Sequence, residues 1–226
     1  MVVDGRGPGD TPLIVRYFVG ITGASGHAYA ERLIRSLVGR GQSVDLSITE
    51  AGCKVLRHEL GVDAGEKGER MPEVLADWLG ADVASEVRTF VTGAVEAPPS
   101  SGTSLGGGAI LIPCSMGTLA RVSVGFSSNL VERVADVCLK EGRPLVIVPR
   151  ETPLSEVHLE NLLRLKRLGA IILPAMPGFY HRPQSIDDLL DHVVGKVLDR
   201  LGVPNDVGAR WAGLDEPQAE AGIGGN

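Results

Sequence analysis

Short runs of apolar and β-branched residues alternate along the chain with stretches whose apolar positions recur every three or four residues, which is the signature of strands alternating with helices. The runs Leu13 to Ile21, Ser43 to Thr49, Val87 to Thr92, Ala109 to Pro113, Leu145 to Pro149 and Ala170 to Pro174 predict six strands. The helical spacing predicts helices over Ala28 to Val38, Ala51 to Leu60, Pro72 to Leu79, Gly117 to Val122, Asn129 to Glu141, Leu154 to Leu168 and Ser185 to Leu201. Strands of about five apolar residues joined through helices require right-handed crossovers and a parallel sheet covered on both faces. The expected fold is therefore a single-domain α/β protein with a doubly wound, Rossmann- or flavodoxin-like, open parallel sheet over residues 13–211. The segments 1–12 and 212–226, rich in Gly, Pro and acid, are expected to be flexible termini.

Composition narrows the function. A chain of 226 residues with 43% hydrophobic and 22% charged positions can bury one core. Its net charge of -6 and its lack of a basic cluster argue against nucleic acid or an anionic membrane as partner. No apolar run approaches the roughly 20 residues that span a bilayer, and the start MVVDGRGP lacks a signal-peptide core, so a cytoplasmic protein is expected. Cys53, Cys114 and Cys138 are odd in number and form no C-x-x-C pair, and the histidines at 27, 58, 158, 181 and 192 lack metal-ligand spacing, so neither a disulfide framework nor a metal site is indicated.

In an open parallel sheet, ligands bind beyond the carboxyl ends of the strands, so the residues following each strand are the candidates for chemistry. After the first stands GITGASG (20–26), a glycine turn leading into a helix whose first N–H groups suit an anion. Its G-x-x-G-x-x-G spacing departs from the dinucleotide fingerprint, although Glu50 after the second strand could serve as a ribose-binding acid. The long EAPPSSGTSLGGG loop (96–108) invites a functional reading. After the fourth strand, Ser115 or Thr118 can cap the next helix. Arg150 and Glu151 form a charged pair after the fifth, and Tyr180 and His181 lie in a proline-stiffened loop after the sixth, before a Ser185/Asp188 capping box. His181 is expected at the surface or hydrogen-bonded. Together these rims suit a phosphorylated, largely planar cofactor with a second small anion beside it.

The segments GITGASG, AILIPCSMGTLA, NLVERVADVCLKEGRPLVIVPRETPL, HLENLLRL and PAMPGFYHRPQS, in this order between Tyr17 and Trp211, resemble the UbiX-type flavin prenyltransferases, long labelled aromatic acid decarboxylases. The resemblance implies a metal-free homododecamer that joins a dimethylallyl group from dimethylallyl monophosphate to N5 and C6 of reduced FMN. It also implies that the product, prenylated FMN, goes to a UbiD-type decarboxylase. By the same resemblance Gly23, Ala24, Ser25, Thr49, Ser115, Met116, Gly117, Thr118 and Arg150 are FMN contacts. Tyr180, Lys196, Lys140, Arg133 and Glu59 fall on the substrate-phosphate site, and Glu151 and Ser25 are the catalytic candidates. Thr49 replaces a usual Ser and keeps the hydroxyl. Lys196 replaces a common Arg and loses the bidentate fork, and Val95 falls near an aromatic position of some relatives.

Cleaving an allylic C–O bond puts negative charge on the departing phosphate, which Lys and Arg donors stabilise, and ring closure at C6 requires a base, for which Glu151 is placed. Two other readings are an FMN-dependent oxidative decarboxylase of a cysteinyl substrate, for which His27 in the first helix is the relevant residue, and a non-catalytic flavin-binding subunit.

Overall fold

The structure, a computed structural model, describes residues 14–104 and 106–210. Both expected flexible termini, and the domain limits at 13 and 211, lie outside the described residues. Six strands, β1 (Arg16–Ile21), β2 (Ser43–Ile48), β3 (Val87–Phe90), β4 (Ala109–Cys114), β5 (Leu145–Pro149) and β6 (Ile171–Ile172), form one sheet in the order β3-β2-β1-β4-β5-β6. All pairings are parallel. This is the Rossmann order rather than the flavodoxin one, and it places the topological switch between β1 and β4.

The side-chain alternation of β1 sorts the core into two layers. Val19 and Ile21, with Ile110 and Ile112 of β4, face α1 (His27–Val38), α2 (Glu50–Leu60), α3 (Met71–Leu79) and α8 (Ile186–Leu201). Phe18, Leu111 and Ile147 face the opposite way, against α5 (Met116–Ser123), α6 (Leu130–Lys140) and α7 (Glu156–Arg167). Strands buried on both faces explain why their sequence reads as unbroken apolar runs instead of alternating ones. Among the described residues no helix is long and apolar enough to cross a membrane.

Several expected boundaries shift. β1 starts three residues late, at Arg16, and β3 stops at Phe90. A four-residue helix, α4 (Ala81–Ala84), follows α3 directly because Gly80, at φ 79°, turns the chain sharply; so short an element leaves no periodicity to read. β6 has two ladder residues where five were expected. The Ala170 N–H is spent on the Leu165 carbonyl that closes α7, while Leu173 and Ala175 donate to the carbonyls of Ile147 and Pro149, so backbone pairing with β5 continues on either side of Pro174. The loop before β4 carries a 3-10 turn at Pro98–Ser100. Its glycines serve packing: a Cβ on Gly108 would meet the Pro144 carbonyl oxygen at 2.2 Å.

Candidate active site at the carboxyl rim

The sequence puts a hydroxyl or amide side chain at the start of three helices that begin at the carboxyl rim. Thr49 caps α2 by accepting from Gly52 N–H, Ser115 caps α5 by accepting from Thr118 N–H, and Asn129 caps α6 by accepting from Glu132 N–H. All three caps line one cavity of about 410 Å³, together with Gly23, Glu50, Lys67, Thr92, Gly93, Thr118 and Arg121. Three helix N-termini, each carrying roughly half a positive charge, thus converge at the β1/β4 switch point. Gly23 is required there because the turn closes against α2, and a Cβ would come within 2.6 Å of the Ala51 methyl group.

The β1 and β4 rims are welded by Thr22, whose Oγ1 accepts from Ser115 N–H at 2.7 Å and donates to the Pro113 carbonyl at 2.9 Å. Arg150, following β5, reaches across the same rim and donates through Nε to the Ser25 carbonyl at 3.1 Å. The guanidinium therefore anchors the glycine turn, and the neighbouring charges of Arg150 and Glu151 form no ion pair with each other. Glu151 is exposed and accepts from Thr152 N–H at 3.0 Å.

The turn after β1 holds an anion, but it is the chain's own. Glu59, on α2, accepts from the backbone N–H of Gly26 at 3.0 Å and of His27 at 3.0 Å. Burial pushes its carboxyl up, but the Ser25 hydroxyl and these two N–H groups outweigh that and hold it below the usual carboxylate range. The expected phosphate cradle at the start of α1 is thus filled by a carboxylate. Glu59 is thereby tied to the turn's backbone rather than presented as a donor to phosphate. His27 is wholly buried, 3.4 Å from Glu59, with neither ring nitrogen in hydrogen-bonding geometry. Burial lowers its pKa, and Glu59 only partly restores it. It does not line the cavity.

Of the expected FMN contacts, Gly23, Thr49, Ser115 and Thr118 line the cavity. Ala24 and Met116 are buried, and Ser25 and Gly117 are exposed beside them. The phosphate-site set is not gathered within one chain. Arg133 and Lys140 ride on α6, on one face of the sheet, paired with Asp136 at 3.1 Å and Glu141 at 3.1 Å. Lys196 rides on α8 on the other face, lining a second cavity of about 260 Å³ with His192, Asp199 and Arg210. Tyr180 bonds His192 Nε2 at 3.0 Å. His181 is neither freely exposed nor hydrogen-bonded, its ring stacking on His192 with centroids 5.4 Å apart. The capping box of Ser185 with Asp188 is present.

Arg121, Lys67, Thr92 and Asn129 also line the cavity, and the sequence alone does not mark them as site residues. The readable signal was the cap at Asn129; Arg121, one turn past Thr118, looks like an ordinary solvated helix charge. Its partner reveals more. Arg121 Nε donates to Glu132 Oε1 at 2.5 Å, and Glu132 is completely buried, its second oxygen accepting from the N–H and hydroxyl of Ser128 at 2.8 and 2.7 Å. Among the described residues no group of three His, Cys, Asp or Glu could hold a metal ion.

Such a rim, with helix N-termini, hydroxyls and a guanidinium around one cavity of an open parallel sheet, defines a binder of phosphorylated, nucleotide-like ligands. The chain belongs to the Flavoprotein family, whose profile matches residues 11–198, in the branch of the UbiX flavin prenyltransferases. It is 50% identical to the flavin prenyltransferase UbiX of Halalkalibacterium halodurans over 86% of this chain and 92% of that one. A crystal structure of AnUbiX (PadA1) in complex with FMN and dimethylallyl pyrophosphate superposes with a TM-score of 0.78 at 35% identity, covering 89% of this chain and all of that one. A dodecameric FMN-dependent UbiX-like decarboxylase from Escherichia coli O157:H7 gives 0.75 at 37% identity, over 88% and 100%.

The donor set fits FMN. Hydroxyls, open helix N-termini and cations suit its ribityl and phosphate, and Thr92, 5% exposed and lining the cavity, carries an Oγ1 with no partner of its own.

Proposed function

We propose that this protein is a flavin prenyltransferase that joins the dimethylallyl group of dimethylallyl monophosphate to N5 and C6 of reduced FMN, releasing phosphate. The single observation that carries the reading is the meeting of Gly23, Thr49, Ser115 and Thr118 around one rim cavity in a chain half identical to a flavin prenyltransferase. Reduced FMN, when bound, supplies the nucleophilic nitrogen and the ring carbon that receive the new bonds.

The chain's own residues do the rest. Gly23, Thr49, Ser115 and Thr118 hold the flavin at the rim, and Arg150 fixes the turn bearing Ser25 against it. As the allylic C–O bond breaks, its electron pair leaves with the phosphate, and Tyr180, Lys196, Lys140 and Arg133 stabilise the growing negative charge. As the second bond forms, the dimethylallyl double bond opens and takes up a proton at its remaining carbon, while Glu151 takes the proton that C6 gives up, with Ser25 as a relay.

The placement of α6 and α8 on opposite faces of the sheet supports a site shared between copies, and we propose that the Lys140 and Arg133 of one copy meet the Tyr180 and Lys196 of another, with the dodecamer as the working form. We further propose that the reaction is cytoplasmic and that the product is consumed by a UbiD-type decarboxylase. The oxidative decarboxylase reading finds no support in His27, buried against Glu59. Anaerobic incubation with reduced FMN and dimethylallyl monophosphate, followed by mass spectrometry, should reveal a flavin heavier by one dimethylallyl unit. Unmodified flavin after binding would leave a flavin-holding subunit instead.

A further inference from the structure

We propose that Arg121, one turn into α5 from the Ser115–Thr118 segment already assigned to FMN, binds the FMN phosphate and is the residue by which this chain distinguishes FMN from riboflavin. The inference rests on the FMN reading above and asks which corner of the cavity takes the dianion.

The three helix N-termini are not equivalent. The first turn of α2 carries Glu50, which lines the cavity and faces Lys67 at 4.0 Å, so that end already has its carboxylate and its counter-ion. At the start of α6, Glu132 is committed to Ser128 and Arg121. The first turn of α5 holds no acidic residue, and with Ser115 capping only Thr118 N–H, the N–H groups of Met116 and Gly117 have no intrahelical acceptor. This is the uncompensated positive end, and phosphate is the group it suits best.

Arg121 supplies the second half of the subsite. Its Nε edge is fixed by the fully buried Glu132, and Nη2 lies 3.4 Å from Thr118 Oγ1. A guanidinium has five N–H donors, so the remaining Nη hydrogens are available to a ligand on the cavity side. Burial alone would push Glu132 towards neutrality, but Arg121 and Ser128 keep it ionised, which locks the fork in place. Gly117 adds no side chain over this approach: its nearest neighbour, measured from a hypothetical Cβ, is Arg121 Nη1 at 3.5 Å. Thr92 closes the corner. Its carbonyl accepts from Leu130 N–H at the head of α6, and its buried hydroxyl is the cavity's unpartnered polar group.

The test compares dissociation constants for FMN and riboflavin, read from flavin fluorescence, in the wild-type protein, Arg121→Lys and Arg121→Met/Glu132→Gln. The double variant is needed because Arg121→Met alone leaves Glu132 buried and unpaired; thermal melts establish that each protein is folded. Wild type is expected to prefer FMN. The double variant should lose about tenfold or more in FMN affinity, the loss of one charge-assisted contact, with riboflavin unchanged. Arg121→Lys should fall between, keeping the charge without the fork. A wild-type ratio of FMN to riboflavin affinity in the double variant overturns the assignment, whether both constants stay or both weaken together, since the latter puts Arg121 against the ring or ribityl. A wild-type protein that binds neither flavin fails at the earlier step, the FMN reading itself, and takes this inference with it.

Discussion

One carboxylate oxygen, Glu59 Oε2, accepts the backbone N–H of His27 at 3.0 Å and lies 3.4 Å from that residue's own ring nitrogen. The contact turns the start of α1 from an open anion site into a closed one and locks a buried imidazole behind it. Two pKa shifts therefore act on stability in the same direction. The lowered pKa of His27 means that, below about pH 6.5, the unfolded chain binds a proton the native one resists, so stability falls. Glu59, also lowered, contributes stability that is present above its ordinary value and lost as the pH drops through its folded one, at more acid pH.

Denaturant unfolding between pH 7.5 and 4 should accordingly show a loss beginning near pH 6.5 and steepening below about pH 4.5. His27→Asn should flatten the first stage. Glu59→Ala, which removes the acceptor for two helix-start N–H groups, should cost about 1 kcal/mol at pH 7. A pH-independent stability in wild type would contradict the pairing.

Glu151→Gln keeps the side chain's size and its acceptor for Thr152 N–H while removing the basic site. FMN binding should survive, and formation of prenylated flavin should slow about a hundredfold or more, followed anaerobically by absorbance and mass. Turnover at the wild-type rate would return Glu151 to a purely local role.

Lys140 on α6 and Tyr180, held by His192 of α8, belong to opposite faces of the sheet, which predicts complementation between copies. Lys140→Ala and Tyr180→Phe should each be slow alone. Unfolded and refolded together one to one, they should regain activity, because random assembly restores roughly a quarter of sites to a full set. Mixed protein no better than the average of its parents would mean that each chain is self-sufficient.

Burial pushes the thiols of Cys114 and Cys138 up to about 12 and that of Cys53 to about 11. Thiolate is the reactive form. A thiol reagent at pH 8 should leave all three untouched in the native protein and label all three in denaturant. Rapid labelling of one in the native state would expose a mobile core.

The alternation of strand and helix was legible because burial on both sheet faces writes unbroken apolar runs, as at Leu145–Pro149. Caps were legible where a short polar side chain precedes a helix, as at Ser115 and Ser185. What stayed hidden depends on meetings between distant segments. The Glu59 carboxylate reaches α1 across 33 residues and Arg150 reaches Ser25 across 125, and no local pattern encodes either. Arg121 is inconspicuous in sequence for the same reason: its significance lies in Glu132, a residue whose complete burial a sequence rich in helical charges does not advertise.

The two-residue β6 also governs how copies of this chain can associate. Pro174 follows it with no N–H to offer, and at the opposite margin β3 has only four residues and an exposed Arg88 clamped to Asp45. Neither margin provides the long, flat row of donors and acceptors that lets sheets fuse from molecule to molecule. Growth by sheet extension is therefore discouraged at both ends, which leaves contact between copies to helix surfaces such as α7, where Val157, Leu159 and Leu163 lie at least half exposed.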